Sequence, residues 1–383
     1  MEMSNGKSAE HNGNLVKRRN VLGTIGGGAI GLSLCGSSRA KAASSGLIEI
    51  DYALRREELG DSSSPLTTRT KQVSRDWHDS LIHAQRARRQ GDFESQRFVR
   101  EVTLTPPKHG GSGPRLNVGV LRNPDGEVEP DTLSTQEALE RIPDNIGGVP
   151  INAFSTGDFQ LGCYETDYGE DVPTGAEMEV GYDNTHCTMG APLHQDGERY
   201  FSTCQHIFYG DNPGSRKLYN QDEDAAIGDV REAFCQDDFV TANPINGHTP
   251  SMHIGDPNGG LTTDVIVEQF TKKALQDMIA ADEYLTKRGI TTCKTSGQIG
   301  AANGYFKWTG GEGCDERCHQ VKWGGDNDFD DGDSGSVAYQ KFDQGQVGVA
   351  GVCNGRDPNP FASYKVFGTA AWHITDEWQY TYV

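Results

Sequence analysis

The sequence predicts an all-β domain preceded by a small α/β region. From about Glu177 the chain consists of short strand-like segments separated by glycine turns and rich in cysteine, which is typical of a β-barrel or sandwich. One helical stretch, 270–279, interrupts these strands and is expected to pack on the outside of the barrel. Between residues 70 and 160, helical and strand-like periodicities alternate. A chain of 383 residues is long enough for two such regions.

The first 42 residues have the pattern of an export signal. Lys17-Arg18-Arg19-Asn20-Val21-Leu22 opens a weakly apolar, glycine-rich run that ends at Leu34, and Ala40-Lys41-Ala42 follows as a cleavage site. The pattern resembles a twin-arginine signal, and the run is too short for a stable membrane span. We therefore expect a secreted, extracellular protein with no membrane attachment after cleavage near Ala42. A lipoprotein signal at Cys35 is the alternative, although Leu34 is bulky where such signals have a small residue.

Two regions follow the signal. Residues 43–69 contain many Ser, Thr and Gly residues without clear periodicity, which predicts a linker. Region 70–160 predicts a small α/β fold, with helices and strands expected over 70–89, 98–104, 116–121, 135–142 and 148–154. This region contains no catalytic constellation, so we expect it to be either a folding prosegment or an accessory domain.

The chain is strongly acidic. Asp and Glu number 55 against 35 Lys and Arg, which gives a formal net charge of −20. This balance argues against a nucleic-acid partner and favours a heavily hydrated surface. Because lysine is also scarcer than arginine, we interpret the composition as an adaptation to high salt, as in halophilic proteins. The alternative is an ordinary acidic secreted protein.

Nine cysteines are present, and Cys35 lies in the signal. The even number that remains predicts disulfide bonds in an oxidising compartment, with open connectivity. These residues are Cys163, Cys187, Cys204, Cys235, Cys293, Cys314, Cys318 and Cys353. Zinc binding at Cys314-x-x-x-Cys318-His319 is the alternative, but no second cluster has zinc-ligand spacing. We expect neither a metal nor a cofactor.

Gly332-Asp333-Ser334-Gly335-Ser336 predicts a hydroxyl nucleophile on a tight turn. Small neighbours would let a carbonyl reach Ser334, and the amides of Gly332 and Ser334 would form an oxyanion hole. The Asp333 carboxylate would point inward and brace the turn. An α/β-hydrolase elbow requires glycine where Ser336 stands, so that fold is not favoured.

A serine nucleophile needs a general base, and His206 is the best candidate because it stands at the end of a predicted strand. The segment Arg199-Tyr-Phe-Ser-Thr-Cys-Gln-His206 resembles the trypsin/chymotrypsin-like serine peptidases, whose base follows a similar strand in a Thr-Ala-x-His pattern. Cys204 replaces the usual alanine, which suggests a local disulfide bond.

The third triad member must orient the histidine ring. Members of this family place it before a hydrophobic strand, and Asp238 precedes Phe239-Val240 in this way. The order His206, Asp238, Ser334 is the chymotrypsin-like order. Asp237 remains an alternative, because a shift of one residue in a strand turns the side chain to the opposite face.

Two further motifs are similar to the streptogrisin-like and α-lytic-like branch. These are Lys287-Arg-Gly289-Ile-Thr-Thr292-Cys293-Lys-Thr295-Ser-Gly297-Gln-Ile299, which has Cys293 where glycine is expected, and Cys187-Thr-Met-Gly190. The resemblance covers about 177–375 and implies a chymotrypsin-like double β-barrel with the triad between the barrels. We place this peptidase domain at 161–383.

The resemblance also implies substrate-binding residues. Cys353-Asn354-Gly355 stands where members of the family run a strand along the substrate backbone, usually with serine at the position of Cys353. Asp328, six residues before Ser334, stands where trypsin-type enzymes hold a carboxylate at the base of the specificity pocket. That carboxylate would favour Arg or Lys before the cleaved bond. The alternative is a solvated acidic loop.

The sequence thus predicts a secreted serine endopeptidase that acts on protein or peptide substrates through an acyl-enzyme, as a monomer. A non-catalytic binding module on the same fold is one alternative. An esterase that uses the same triad is the other, although no long apolar acyl-binding stretch lies near Ser334.

Overall fold

A computed structural model describes residues 46–58, 61–96, 98–121, 134–156, 169–180, 185–208, 216–220, 226–255, 261–307, 316–325, 327–330, 332–342, 345–357 and 364–383. The predicted export signal and its cleavage site lie outside these residues. Among the helices within these ranges, none has the length and apolar character needed to cross a membrane.

The N-terminal region contains six strands and two helices. They are β1 (Leu47–Arg56), β2 (Leu66–Ser74), α1 (Arg75–Gly91), β3 (Val99–Thr105), β4 (Arg115–Leu121), α2 (Thr135–Arg141), β5 (Asn145–Ile146) and β6 (Val149–Thr156). Ser74 caps α1 by accepting a hydrogen bond from the Trp77 amide, and Trp77 and Leu81 bury the inner face of the helix. The hairpin of β1 and β2 shows that the prediction of a structureless linker over 43–69 was wrong.

The first barrel is a seven-stranded antiparallel sheet. Its strands are β8 (Glu177–Val180), β9 (Thr185–Thr188), β10 (Leu193–Gln195), β11 (Glu198–Thr203), β12 (Lys217–Tyr219), β13 (Ala226–Phe234) and β14 (Phe239–Pro244). They follow the order β10-β11-β14-β13-β12-β8-β9, and the short strand β7 (Asp171–Thr174) precedes them and joins the other sheet. Alternate side chains such as Met178, Phe201, Leu218 and Val240 fill the interior.

The second barrel belongs to a fifteen-stranded sheet. Its elements are β15 (Thr249–Gly255), β16 (Leu261–Phe270), α3 (Lys272–Ala280), β17 (Tyr284–Arg288), β18 (Lys294–Lys307), β19 (Glu316–Trp323), β20 (Val337–Lys341), β21 (Gln346–Arg356), β22 (Val366–Ala370) and α4 (Ala371–Trp378). The predicted helix at 270–279 corresponds to α3. The predicted all-β fold class is confirmed, because the strands form two large sheets with few helices.

The N-terminal strands extend the sheet of the second barrel. β1 pairs with β16, where Ala53 lies opposite Phe270, and β3 pairs with β18, where Val102 lies opposite Tyr305. One continuous apolar core includes Trp77 on α1 together with side chains of α3, β18 and β19. The N-terminal region therefore shares both a sheet and a core with the second barrel.

Buried charges reinforce this junction. The Lys322 ammonium on β19 contacts both carboxylate oxygens of Glu101 on β3 at 2.9 Å and the Asp357 carboxylate at 2.9 Å. Burial lowers the pKa of Lys322, but the two carboxylates outweigh burial and the net pKa lies above its ordinary value. Burial raises the pKa of Glu101. Separating the N-terminal region from the barrel would therefore take the Glu101 carboxylate away from its cation.

The cysteines do not follow the predicted disulfide pattern. Cys187, Cys204, Cys293, Cys318 and Cys353 are thiols rather than half-cystines. Cys235 is disulfide-bonded, and Cys163 and Cys314 lie outside the described residues. The prediction of eight paired cysteines, and of a local disulfide bond at Cys204, was therefore wrong. Burial raises the pKa of Cys187 and Cys353 to about 12, so these thiols stay protonated and pack as small apolar groups.

Candidate active site

The Ser334 turn has a backbone that only glycine accommodates at two positions. Gly332 has φ 134° and Gly335 has φ 90°, and both values lie in the region that L side chains rarely adopt. A Cβ atom on Gly335 would lie 2.2 Å from the Thr188 carbonyl oxygen and 2.2 Å from Thr203 Oγ1. The Gly332 carbonyl accepts a hydrogen bond from Thr188 Oγ1 at 2.7 Å. The turn is therefore held tightly against the first barrel.

The structure brings His206, Asp238 and Ser334 together. His206 begins a 3₁₀ turn directly after β11. Its Nε2 atom lies 3.2 Å from Ser334 Oγ, and its Nδ1 atom lies 2.8 Å from Asp238 Oδ2. This is the geometry in which one ring nitrogen takes the serine proton while the other donates to a carboxylate.

Asp238 remains ionised although it is buried. Its Oδ1 atom accepts hydrogen bonds from the amides of Gln205 at 3.0 Å and His206 at 2.8 Å, and the Arg317 Nε atom lies 3.8 Å from Oδ2. Burial raises the pKa of Asp238, but His206 and Arg317 outweigh burial and lower the pKa to about 2. A carboxylate held in this way can orient the ring and stabilise an imidazolium.

Asp237 points away from His206. Its carboxylate lies 2.9 Å from His373 Nε2 and accepts a hydrogen bond from Trp378 Nε1 at 2.8 Å. Asp238 has φ 49° at the end of a turn. The side chains of Asp237 and Asp238 therefore do not alternate between two faces as neighbours in a regular strand do. The two carboxylates therefore serve two different histidines.

Asp333 is directed inward and forms a fully buried ion pair. Its Oδ2 atom lies 2.7 Å from Lys287 Nζ, and both side chains are completely inaccessible to solvent. The carboxylate also accepts four hydrogen bonds, from the amides of Thr291, Thr292 and Asp330 and from the Thr292 hydroxyl. Burial lowers the pKa of Lys287 although Asp333 opposes this shift. The Lys287 motif is visible in the sequence, but this role of the lysine is not predicted from it.

The same motif explains two small residues. A Cβ atom on Gly289 would lie 2.1 Å from Asp333 Oδ1, so the ion pair leaves no room for a side chain there. Cys293 has φ 55°, which accounts for the glycine expected at this position from the family pattern. Cys293 therefore adopts a left-handed backbone conformation that is unfavourable for a residue with a side chain.

The amides of Gly332 and Ser334 flank the inward-pointing Asp333. Among the described residues, neither amide donates a hydrogen bond to a backbone carbonyl. The Asp333 amide, by contrast, donates to the Asp330 carbonyl at 3.0 Å. This arrangement leaves the two predicted oxyanion donors without a backbone acceptor in the described part of the chain.

Asp328 stabilises its own loop. Its Oδ2 atom accepts a hydrogen bond from the Gly325 amide at 2.7 Å, and its carbonyl accepts one from Thr295 Oγ1 at 2.9 Å. The side chain is half-buried, and a Cβ atom on Gly297 would approach Oδ2 to 2.8 Å. The carboxylate therefore has a local partner.

Cys353 connects β21 to the catalytic turn through its backbone. Its amide donates to the Ser336 carbonyl at 2.7 Å, and its carbonyl accepts from the Gly335 amide at 2.9 Å. The backbone of Cys353 thus already holds the Ser334 turn.

Asn354 uses its side chain to brace the triad acid. The fully buried amide group donates to the Asp238 carbonyl at 2.8 Å and accepts from the Thr369 amide at 2.9 Å. Gly355 pairs with Phe367 on β22. The sequence predicts Asn354 only as a substrate-binding residue, because nothing local in the sequence relates it to Asp238.

The described residues contain no group of three or more His, Cys, Asp or Glu side chains that could hold a metal ion. Cys314, one residue of the alternative zinc motif, lies outside them.

The fold and site together define a two-barrel protein with a serine, histidine and aspartate in hydrogen-bond contact. No protein-family model and no curated protein matches the chain. Solved structures that match include streptogrisin-like and α-lytic-protease-like serine proteases of the chymotrypsin fold. The chain is 18% identical to a glutamic-acid-specific serine protease, with 55% of this chain and 99% of that chain covered and a TM-score of 0.41.

Two other matches have similar values. Thermobifida fusca protease A is 16% identical over 55% of this chain and 97% of that chain, with a TM-score of 0.41. Cellulomonas bogoriensis chymotrypsin is 17% identical over 56% of this chain and 98% of that chain, with a TM-score of 0.40. The chemical assignment of the site rests on the contacts described above.

Proposed function

We propose that the protein is a secreted serine endopeptidase that hydrolyses peptide bonds through an acyl-enzyme. The observation that supports this most directly is the hydrogen-bonded series from Ser334 Oγ to His206 Nε2 at 3.2 Å and from His206 Nδ1 to Asp238 Oδ2 at 2.8 Å. The proposed substrate is a protein or peptide, because the Ser334 hydroxyl can attack a peptide carbonyl while it transfers its proton to the His206 ring.

In the proposed mechanism Ser334 attacks the carbonyl carbon while His206 takes the hydroxyl proton. Asp238, whose pKa is about 2, stays ionised and stabilises the resulting imidazolium. The amides of Gly332 and Ser334 donate to the oxyanion. His206 then returns the proton to the leaving amine, and water repeats the sequence to release the acyl group. No metal or cofactor takes part.

The side chains of the site are buried. Ser334 has no solvent-exposed surface, and His206 is 5% exposed. The rate of reaction with a small fluorophosphonate probe therefore reports how accessible Ser334 is.

Labelling with a fluorophosphonate probe, followed by mapping of the modified peptide, tests the assignment. We expect modification of Ser334 and its loss in Ser334→Ala, together with a fall in kcat on the order of 10⁶. Ser296→Ala is the matched control, because its exposed hydroxyl contacts Thr286 on the neighbouring strand. Retained hydrolysis by purified Ser334→Ala would overturn the mechanism, and an active enzyme that cleaves esters but no peptides would favour an esterase.

Export by the twin-arginine route is part of the proposal and has its own test. Arg18→Lys together with Arg19→Lys preserves the charge of the signal but removes both arginines. We expect this double variant to accumulate inside the cell, while the parent is found in the medium without the first 42 residues. Efficient export of the double variant would exclude this route.

The net charge of −20 leads us to propose that the enzyme is active at high salt. Measurement of kcat/KM against salt concentration tests this proposal.

A further inference from the structure

The turn that carries the triad acid is held from outside its own barrel. Residues 235–238 form the turn between β13 and β14 of the first barrel. The Asp238 carbonyl accepts from Asn354 on β21, and the Asp237 carbonyl accepts from the Thr369 hydroxyl on β22. Both of these strands belong to the second barrel. Contacts across the interface between the barrels therefore fix the backbone on which Asp238 sits.

The Asp237 side chain makes charge-assisted contacts with the second barrel. Its two carboxylate oxygens are each used, one by His373 Nε2 at 2.9 Å and the other by Trp378 Nε1 at 2.8 Å. Both partners lie on α4, and Asp237 is 5% exposed. Hydrogen bonds to a buried carboxylate are stronger than those between neutral groups. A single helix of the second barrel thus holds the carboxylate from two directions.

His373 is supported on its other face. The His319 ring lies 4.1 Å from the His373 ring, with an angle of 34° between them. Burial, followed by the charge of His373, lowers the pKa of His319 to about 4, so His319 is uncharged near neutral pH. The Trp378 ring packs against Phe234, the last residue of β13, with 4.4 Å between ring centroids. The partners of Asp237 are therefore held by packing as well as by hydrogen bonds.

Asp238 needs such support because its own backbone is strained. It adopts φ 49°, a left-handed conformation that is unfavourable for a residue other than glycine. A turn in this state moves to a more relaxed backbone when its external hydrogen bonds are lost. Any such movement would shift Asp238 relative to His206, and a displacement near 1 Å can lower a rate about 100-fold.

We propose that Asp237, His373 and Trp378 act as positioning residues, through which α4 of the second barrel sets the place of Asp238 in the triad. The catalytic consequence rests on the proposed peptidase function. The positioning itself does not, because the hydrogen bond between His206 and Asp238 can be observed without turnover.

Four variants test the proposal. Asp237→Ala removes the acceptor of both hydrogen bonds, and Asp237→Asn keeps an acceptor of the same size. Trp378→Phe removes one donor and keeps an aromatic ring against Phe234. Trp372→Phe is the matched control, because Trp372 lies on the same helix and donates its indole proton to the Ala302 carbonyl at 3.2 Å instead. The phenyl ring keeps an aromatic group beside His373 and His319, which the Trp372 ring contacts.

We expect Asp237→Ala to lower kcat by about 10- to 100-fold with KM nearly unchanged, because the contact acts on the triad and not on the substrate. Trp378→Phe should lower kcat less, and Asp237→Asn should recover most of the loss. Trp372→Phe should keep the parent kcat even where it lowers the thermal stability. Equal kcat in the parent, Asp237→Ala and Trp378→Phe would overturn the proposal, and so would an equal loss in Trp372→Phe.

A spectroscopic measurement separates this proposal from the proposed function. The proton on His206 Nδ1 is expected at low field in the ¹H spectrum of ¹⁵N-histidine-labelled protein and is assigned by its loss in His206→Gln. We expect this resonance to move or broaden in Asp237→Ala and to stay unchanged in Trp372→Phe. If the parent neither hydrolyses peptides nor reacts with the fluorophosphonate, the proposed peptidase function is wrong. The His206 Nδ1 resonance still tests the positioning role of Asp237 in that case. An unchanged resonance in Asp237→Ala would refute positioning even in an active enzyme.

Discussion

Replacement of Lys287 by methionine tests whether the buried ion pair holds the Ser334 turn. Methionine has a similar length and volume, so the change removes the charge without leaving a large cavity. Asp333 would then be a carboxylate with no solvent exposure and no cation at 2.7 Å. Because Asp333 lies between Gly332 and Ser334, its displacement would move both amides assigned to the oxyanion.

The expected loss in stability follows from the environment of Asp333. Removing one partner of a buried ion pair typically costs about 3 to 5 kcal/mol. The Asp333 carboxylate keeps four hydrogen bonds that stabilise its charge. The donors are the amides of Thr291, Thr292 and Asp330 and the hydroxyl of Thr292. We therefore expect the lower end of the range, about 3 kcal/mol. Asp333→Asn in the same chain removes the unpaired charge and should recover about 2 kcal/mol.

Guanidinium chloride unfolding of these variants in a Ser334→Ala background measures the free energy of unfolding without self-digestion. The rate of fluorophosphonate labelling in the active background measures the geometry of the turn. Lys294→Met is the control, since Lys294 is exposed on the adjoining strand. A double variant that loses as much free energy of unfolding as Lys287→Met and Asp333→Asn lose together would refute the ion-pair argument. A loss below about 1 kcal/mol for Lys287→Met alone would also refute it.

Three other predictions concern the acid, the N-terminal region and specificity. In the folded protein the pKa of Asp238 is about 2, against an ordinary value of 3.8. Its ionised form therefore contributes about 2 kcal/mol to the free energy of unfolding, which is present above pH 3.8 and lost as the pH falls toward 2. Asp238→Asn should lack this dependence in acid unfolding curves, and a parent-like slope would contradict the assignment. Because Glu101 shares a buried charge network with Lys322, the intact mass of the exported protein should include residues 46–156, and a mass without them would identify a removed prosegment. Peptide-library profiling of parent and Asp328→Ser tests the pocket role: cleavage after Arg or Lys that disappears in the variant supports it, whereas a parent preference for large apolar residues rejects it.

Much of the fold could be predicted because its signals are local. The strands of the barrels alternate apolar and polar residues, and α1 places Trp77 and Leu81 on one face. The same kind of signal was present in β1, where Ile48, Ile50 and Tyr52 alternate with acidic residues. The predicted linker over 43–69 was therefore an error of interpretation and not a limit of the sequence.

Other features could not be predicted because they depend on distant contacts. The choice between Asp237 and Asp238 depends on a left-handed turn, which removes the alternation that a strand would impose. The buried contact of Asn354 with Asp238 joins residues 116 positions apart. An even cysteine count likewise gives no information on which sulfur atoms approach each other, and five of these residues are thiols.

The segments that carry Ser334 and Asp238 are each held by a hydrogen bond from the other barrel. Ser334 belongs to the second barrel, yet its carbonyl accepts from the Thr188 amide of the first barrel at 2.9 Å. Asp238 belongs to the first barrel, yet its carbonyl accepts from Asn354 of the second at 2.8 Å. A sliding movement between the barrels would therefore break both contacts at once and separate His206 from Ser334. The relative position of Ser334, His206 and Asp238 is consequently a property of the interface between the barrels, and the same hydrogen bonds that stabilise the folded chain also keep these three side chains within reach of each other.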